Sequence, residues 1–276
     1  MNDEKLKTFL KKGAEITGGI VGGAFGLIGG PIGSIAGGGL GVLSAQLIQE
    51  IIERSLSNRQ QIRIAATSTF IFEGIKTRLD NGETIRNDNF FERSIYDRSN
   101  AEELFEGTLL RCANQFQEKK IIHISKIFEK TVFTDTISPE TANQLLELAN
   151  SLTYRKLSLI SFYGRRNTDL NGVTLMKDPY TWYPHISLTT NEKMLNQDLY
   201  ELINSDLLYN NNTATFSNND ILPDKITLTK TGQDLFEIME LKEIDKNYVL
   251  NIVSDLKYKT EWGRSTNGTI NGERPE

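Results

Sequence analysis

The sequence is poor in the residues that carry most protein chemistry. It holds one cysteine, Cys112, so neither a disulfide framework nor a cysteine cluster for zinc can be drawn, and a reducing cytoplasm suits it better than a secreted fold. Its two histidines, His123 and His185, stand far apart. His123 lies among Ile121, Ile122 and Ile124 and reads as a packed or surface helix residue. His185 follows Trp182-Tyr183-Pro184 without a second metal-type cluster. A nucleophile, a base and an orienting acid cannot be assembled from these parts. No catalytic, metal or cofactor-binding residue is therefore assigned, and an enzyme is not expected. A large excess of charge is missing too: a formal net charge of -5 over 276 residues gives no global attraction for nucleic acid.

The sharpest absence is local. From Ile16 to Gln49 there is no charged residue, and roughly half of the 22 glycines fall between Gly13 and Gly41. Gly18, Gly22, Gly26 and Gly30 form one series spaced by four, and Gly29, Gly33, Gly37 and Gly41 form another. That spacing stacks them along one helix face. In water each interior glycine costs a helix about 1 kcal/mol relative to alanine. In lipid the backbone has no water to bond, so helix is favoured anyway, and small residues let two helices approach closely. Pro31 follows Gly29-Gly30 and is the expected hinge of a hairpin with arms at Ile16–Gly30 and Ile32 to about Gln49. Each arm would be about 22–27 Å long, short of a ~30 Å hydrocarbon core, which suits conditional insertion better than a constitutive anchor. No lysine follows the glycines as a phosphate loop requires, and no dinucleotide fingerprint is present.

Ahead of this segment, Leu6, Phe9 and Leu10 alternate with Lys5, Lys7, Lys11 and Lys12, the pattern of a short basic amphipathic helix on an anionic membrane surface. The apolar run after it is too long and glycine-rich for a signal peptide. Behind it the sequence turns helical for over a hundred residues. Leu47, Ile48, Ile51, Ile52 and Leu56 have helical spacing, and a second helix carries Ile62 to Ile75 up to the Asp80-Asn81-Gly82 stop. Ser99 or Asn100 caps a third, with Leu104, Phe105, Leu109, Leu110 and Phe116 on its apolar face. Lys119–Val132 follows. Ser138-Pro139-Glu140 opens the next helix, and Thr153 opens another that ends at Gly164.

After Arg166 the texture changes to Asn-, Asp- and Thr-rich loops. A helix from about Asn196 to Leu208, β-prone runs at Thr213–Phe216 and Lys225–Thr229, and a helix Gln233–Leu241 come in the order of a winged-helix module. Four short motifs then stand out: Ser138-Pro139-Glu140-Thr141-Ala142, Leu152-Thr153-Tyr154-Arg155-Lys156-Leu157, Asp198-Leu199-Tyr200-Glu201-Leu202 and Leu228-Thr229-Lys230-Thr231-Gly232. On these the chain, from roughly Leu47 to Leu241, resembles the Abi-alpha (abortive infection) family. The resemblance implies a bacterial phage-defence role in which an infected cell is sacrificed or arrested. It brings no catalytic residues.

A DNA-reading helix would need basic or amide groups toward the groove, whereas the candidate offers Asn196, Gln197, Asp198, Glu201, Asn204 and Asp206. Arg165, Arg166, Lys225 and Lys230 read as solvated surface charges. The aromatic patch Tyr180, Trp182 and Tyr183 is a better recognition candidate, with a core plug as the bland alternative for Trp182.

The expected protein is mainly α. Residues 1-49 form a basic amphipathic start and glycine-zipper membrane hairpin, 50-135 a helical body, 136-259 a helical and small winged-helix-like α+β subdomain, and 260-276 a disordered tail. The expected function is a cytoplasmic effector of antiphage defence that associates with the inner membrane, homo-oligomerises through Gly18, Gly22, Gly26, Gly30, Gly33, Gly37 and Gly41, and disrupts the bilayer. Its expected partners are lipid, further copies and a protein trigger, with no cofactor and no nucleic acid. The alternatives are a soluble winged-helix regulator or scaffold, with the glycine-rich segment packed internally, and a hydrolase, which would need Cys112, His123 or His185 in a pocket beside carboxylates.

Overall fold

A computed structural model of the protein describes residues 3–19, 47–51, 53–54, 56–93, 98–175, 189–211 and 220–256. The fold is mainly α, with one small antiparallel sheet toward the C-terminus. The chain forms two compact units. One comprises Met1–Leu157 with Asp234–Glu243, and the other Ser158–Gln233 with Ile244–Glu276.

The first unit is built on the long helix Asn58–Asp80, here α3, preceded by α1 (Asp3–Lys11) and α2 (Ala14–Thr17). Ser57 and Gln60 make a reciprocal capping box at the start of α3, which satisfies backbone donors that would otherwise be orphaned. Asn81-Gly82 ends it, and Gly82 takes φ +84, a left-handed conformation that glycine adopts without steric cost. Helices α4 (Asn100–Ala113) and α5 (Lys120–Thr131) pack on α3, and α6 (Pro139–Ser151) packs on α4 and α5. Phe105 stands between Phe72 and Phe128, with ring centroids 6.0 and 5.1 Å away. Each apolar side chain buried fully in this core contributes about 1.5–3 kcal/mol.

One expectation about this body changes. Phe116 is not on the apolar face of α4: the helix stops at Ala113, and Phe116 lies beyond it, 80% exposed. Ala142, Leu145, Leu146 and Ala149 on α6 are buried, and the unit runs on to Leu157.

The helix Tyr154–Arg165 (α7) leads into the second unit. There α8 (Thr190–Asn204) starts at a capping box of Thr189 and Glu192, several residues ahead of the expected Asn196. Strand β1 (Leu208–Asn210) pairs antiparallel with β2 (Ile226–Leu228), Tyr209 opposite Thr227. The expected run Thr213–Phe216 lies outside the described residues, as does the tail from residue 257. Helix α9 (Lys230–Ile238) and the short α10 (Lys246–Ile252) complete the described elements.

Candidate functional site

The apolar face of α1 is not free. Leu6, Phe9 and Leu10 are buried, and α1 packs on α3. The basic amphipathic pattern is present, but its hydrophobic side is covered by protein and not turned toward a membrane surface. Gly13, in the turn after α1, comes so close to α3 that a Cβ there would lie 2.5 Å from the Ala66 backbone nitrogen. Polar ties surround the contact. Lys12 Nζ donates to Gln61 Oε1 at 3.0 Å, and Arg59 pairs with Glu15 at 2.7 Å and with Glu118.

The chain then enters the glycine-rich segment through a stop. Gly18 caps α2 with φ +67, and Gly19 follows with φ +85. Gly18 therefore ends a helix here instead of opening the first zipper arm, because left-handed residues break a right-handed helix. Gly22, Gly26, Gly30, Pro31, Gly33, Gly37 and Gly41 lie outside the described residues. On the far side, residues 47–51 are helical, and Leu47, Ile48 and Ile51 are buried. Arg54 then pairs with Glu106 at 2.6 Å, and Ser57 starts α3. Glu106 also binds Arg98 at 2.7 Å; burial opposes its charge, yet the two guanidinium groups hold it below the usual carboxylate range. Both flanks of the charge-free segment are thus fastened within the same unit. Among the described residues no helix is long and apolar enough to cross a membrane.

A second assembly in this unit went unseen in the sequence. Glu129 on α5 is 2% exposed and lies 2.9 Å from Arg78 and 2.7 Å from Lys126. Glu240 adds contacts with Lys126 at 3.2 Å and with Lys130 and Arg78 at 3.3 Å. Glu240 holds φ +50, a conformation that costs a non-glycine residue about 1 kcal/mol or more. Gly74 faces the Glu129 carboxylate so closely that a Cβ would lie 2.0 Å from its Oε2. The one sequence signal was Lys126, Glu129 and Lys130 sharing a helix face; nothing local pointed to residue 240.

Two of the three residues that the hydrolase alternative would need, Cys112 and His123, are among the described residues. Cys112 is fully buried, and burial pushes its thiol up to about 12, so the thiolate nucleophile is absent at neutral pH. His123 Nδ1 lies 3.1 Å from the Met239 carbonyl oxygen, and burial lowers its pKa, which makes it a neutral tie between α5 and residue 239. His185 lies outside the described residues, as do Tyr180, Trp182 and Tyr183. Among the described residues no group of His, Cys, Asp and Glu side chains is placed to hold a metal ion.

In the second unit two of the four expected surface charges, Arg165 and Arg166, are engaged. Arg165 is buried, donating to the Ile244 carbonyl oxygen at 2.7 Å and to both Asp169 carboxylate oxygens; Arg166 pairs with Asp224. Neither is a solvated charge. Of the six candidate groove residues, Asn196 and Asp198 on α8 are buried, whereas Gln197, Glu201, Asn204 and Asp206 are exposed. Four of the motif residues hold local structure together. Ser138 caps α6, and Thr153 Oγ1 accepts from Lys156 N. Thr229 Oγ1 accepts from Gly232 N at 3.0 Å, and Gly232 approaches the Leu207 carbonyl so closely that a Cβ would lie 2.0 Å from its oxygen. Compared with protein-family models, curated proteins and solved structures, the chain matches none.

Proposed function

We propose that the protein is a membrane-acting effector whose charge-free glycine-rich segment, fastened at both ends to a helical body, self-associates in the bilayer and breaches it. The observation that carries the reading is the contrast at the flanks. Thirty or so consecutive uncharged residues, dense in glycine at spacings of four, are uncommon in a body that is otherwise thickly charged. Yet the chain on either side is held by buried Leu10 and Ile48, by the tight Gly13 crossing and by Arg54–Glu106. Such an arrangement keeps a membrane-active hairpin tethered to its controlling domain. A trigger must then bind the inserted and the held-back states with different affinity. The resemblance to the Abi-alpha family supplies the setting, bacterial antiphage defence.

The docked α1 favours a second reading, in which the glycine-rich segment also packs on protein and the chain is a soluble regulator or scaffold. Cell fractionation separates the two. Carbonate-resistant membrane association with depolarisation, both abolished by Gly22→Leu together with Gly26→Leu, supports the effector. A chain that stays out of the membrane and leaves the potential intact during phage infection, or toxicity undiminished by the two leucines, overturns it.

A further inference from the structure

The second unit contains an open cavity of about 760 Å³, within the range of about 300–1,000 Å³ usual for small-molecule sites. It lies between the turn after α7 and strand β2. Its walls are braced before any ligand arrives. The Tyr163 hydroxyl donates to the Pro223 carbonyl oxygen at 3.1 Å. Arg166 donates to the Asp224 carbonyl oxygen at 2.8 Å and also holds its carboxylate. The Asn211 amide donates to the Lys225 carbonyl oxygen and to Thr227 Oγ1, both at 2.8 Å. A site held this way loses little ordering entropy on binding.

The charge of the lining has a definite sign. Arg166 and Asp224 neutralise each other, which leaves Lys225, exposed and without an ion pair among the described residues. Asn167 and Asn171 stand exposed at the rim and supply amide donors and acceptors. The Asp224 carboxylate retains lone pairs that can accept further N–H groups. Gly172, at φ +84 with nothing within 4 Å of a built Cβ, leaves the backbone open to approach. A lining this polar is wrong for an acyl chain and right for a hydrophilic molecule.

We infer that this cavity binds a small hydrophilic anion that also carries N–H donors, the chemistry of a nucleoside monophosphate: Lys225 takes the phosphate while Asp224 and the rim amides take the base. The inference stands apart from the membrane reading, since it is read in solution on the purified full-length chain. Calorimetric titration with adenosine 5′-monophosphate is expected to saturate, with affinity at least about tenfold above that for inorganic phosphate or for adenosine, because both halves of the site are engaged. Lys225→Glu is expected to weaken binding by about tenfold or more, the worth of one charge-assisted contact. Lys242→Glu, an exposed lysine of the other unit, leaves it unchanged. Absence of saturable binding, equal affinity for phosphate alone, or indifference to Lys225→Glu overturns the inference.

Discussion

Asp169 lies on an open turn, yet Arg165 hydrogen-bonds both its oxygens, at 3.1 and 2.7 Å, and holds its carboxyl down at about 2, against an ordinary 3.8. The guanidinium can do this because it is itself buried, fixed by the Ile244 carbonyl, and cannot swing away. A carboxylate whose pKa is lower in the folded chain binds protons more weakly there than when unfolded. Its contribution to stability is complete above about pH 4 and drains away as the pH falls toward about 2. Urea unfolding between pH 5 and 2 checks this. The Asp169→Asn variant should lose less stability over that interval than the parent chain, and equal losses would assign the acid sensitivity elsewhere. Glu129 obeys different constraints. It is buried among cations, so removing its partners would strand a charge in low dielectric, which is far costlier than never having placed it there.

At the level of elements, two glycines set how closely neighbours can approach. Gly13 meets the Ala65 and Ala66 backbone of α3, and Gly232 meets the Leu207 carbonyl. In each case the obstacle is main chain, which cannot rotate aside as a side-chain tip can. Gly13→Ala and Gly232→Ala are each expected to cost about 1–3 kcal/mol, the usual price of overpacking. The first should also raise hydrogen exchange across α1 and α2, while exchange in α8 and β1 stays as it was. Uniform acceleration in both units would mean that the glycine contact does not act locally.

Helix boundaries were legible in the sequence because capping is short-range chemistry. Ser99 with Glu102, Ser138 with Pro139, and Asn81-Gly82 each signal within four residues. The amphipathic pattern of α1 was legible too, but a pattern does not say what covers the apolar side; lipid and α3 satisfy Leu6, Phe9 and Leu10 alike. Phe116 misled because helical periodicity carries past the true stop at Ala113. The Glu240 contacts were out of reach, since they join side chains more than a hundred positions apart and need a left-handed backbone that no local signal announces. The braced cavity was hidden for a similar reason: Arg166 and Asp224 lie 58 positions apart, and Arg166 reads as a solvated surface charge.

For the molecule as a whole, the solitary Cys112 serves as a reporter. It is fully buried in the first unit, with a thiol pushed up to about 12, so thiol reagents reach it only when that unit opens. Labelling by a thiol reagent in native buffer should be slow and should accelerate with urea in step with the loss of helical circular dichroism. Fast labelling without denaturant would mean that the body around α4 opens locally.

The first unit is also discontinuous: residues 234–243 complete it after the whole of 158–233 has been made. On the ribosome, therefore, the glycine-rich segment emerges long before its host can close. During that interval Lys126, Lys130 and Arg78 lack Glu240, and His123 lacks the Met239 carbonyl. A nascent chain in this state carries its uncharged segment on an unfinished body. It is the form most in need of a chaperone, and the form in which an early stop codon would leave it.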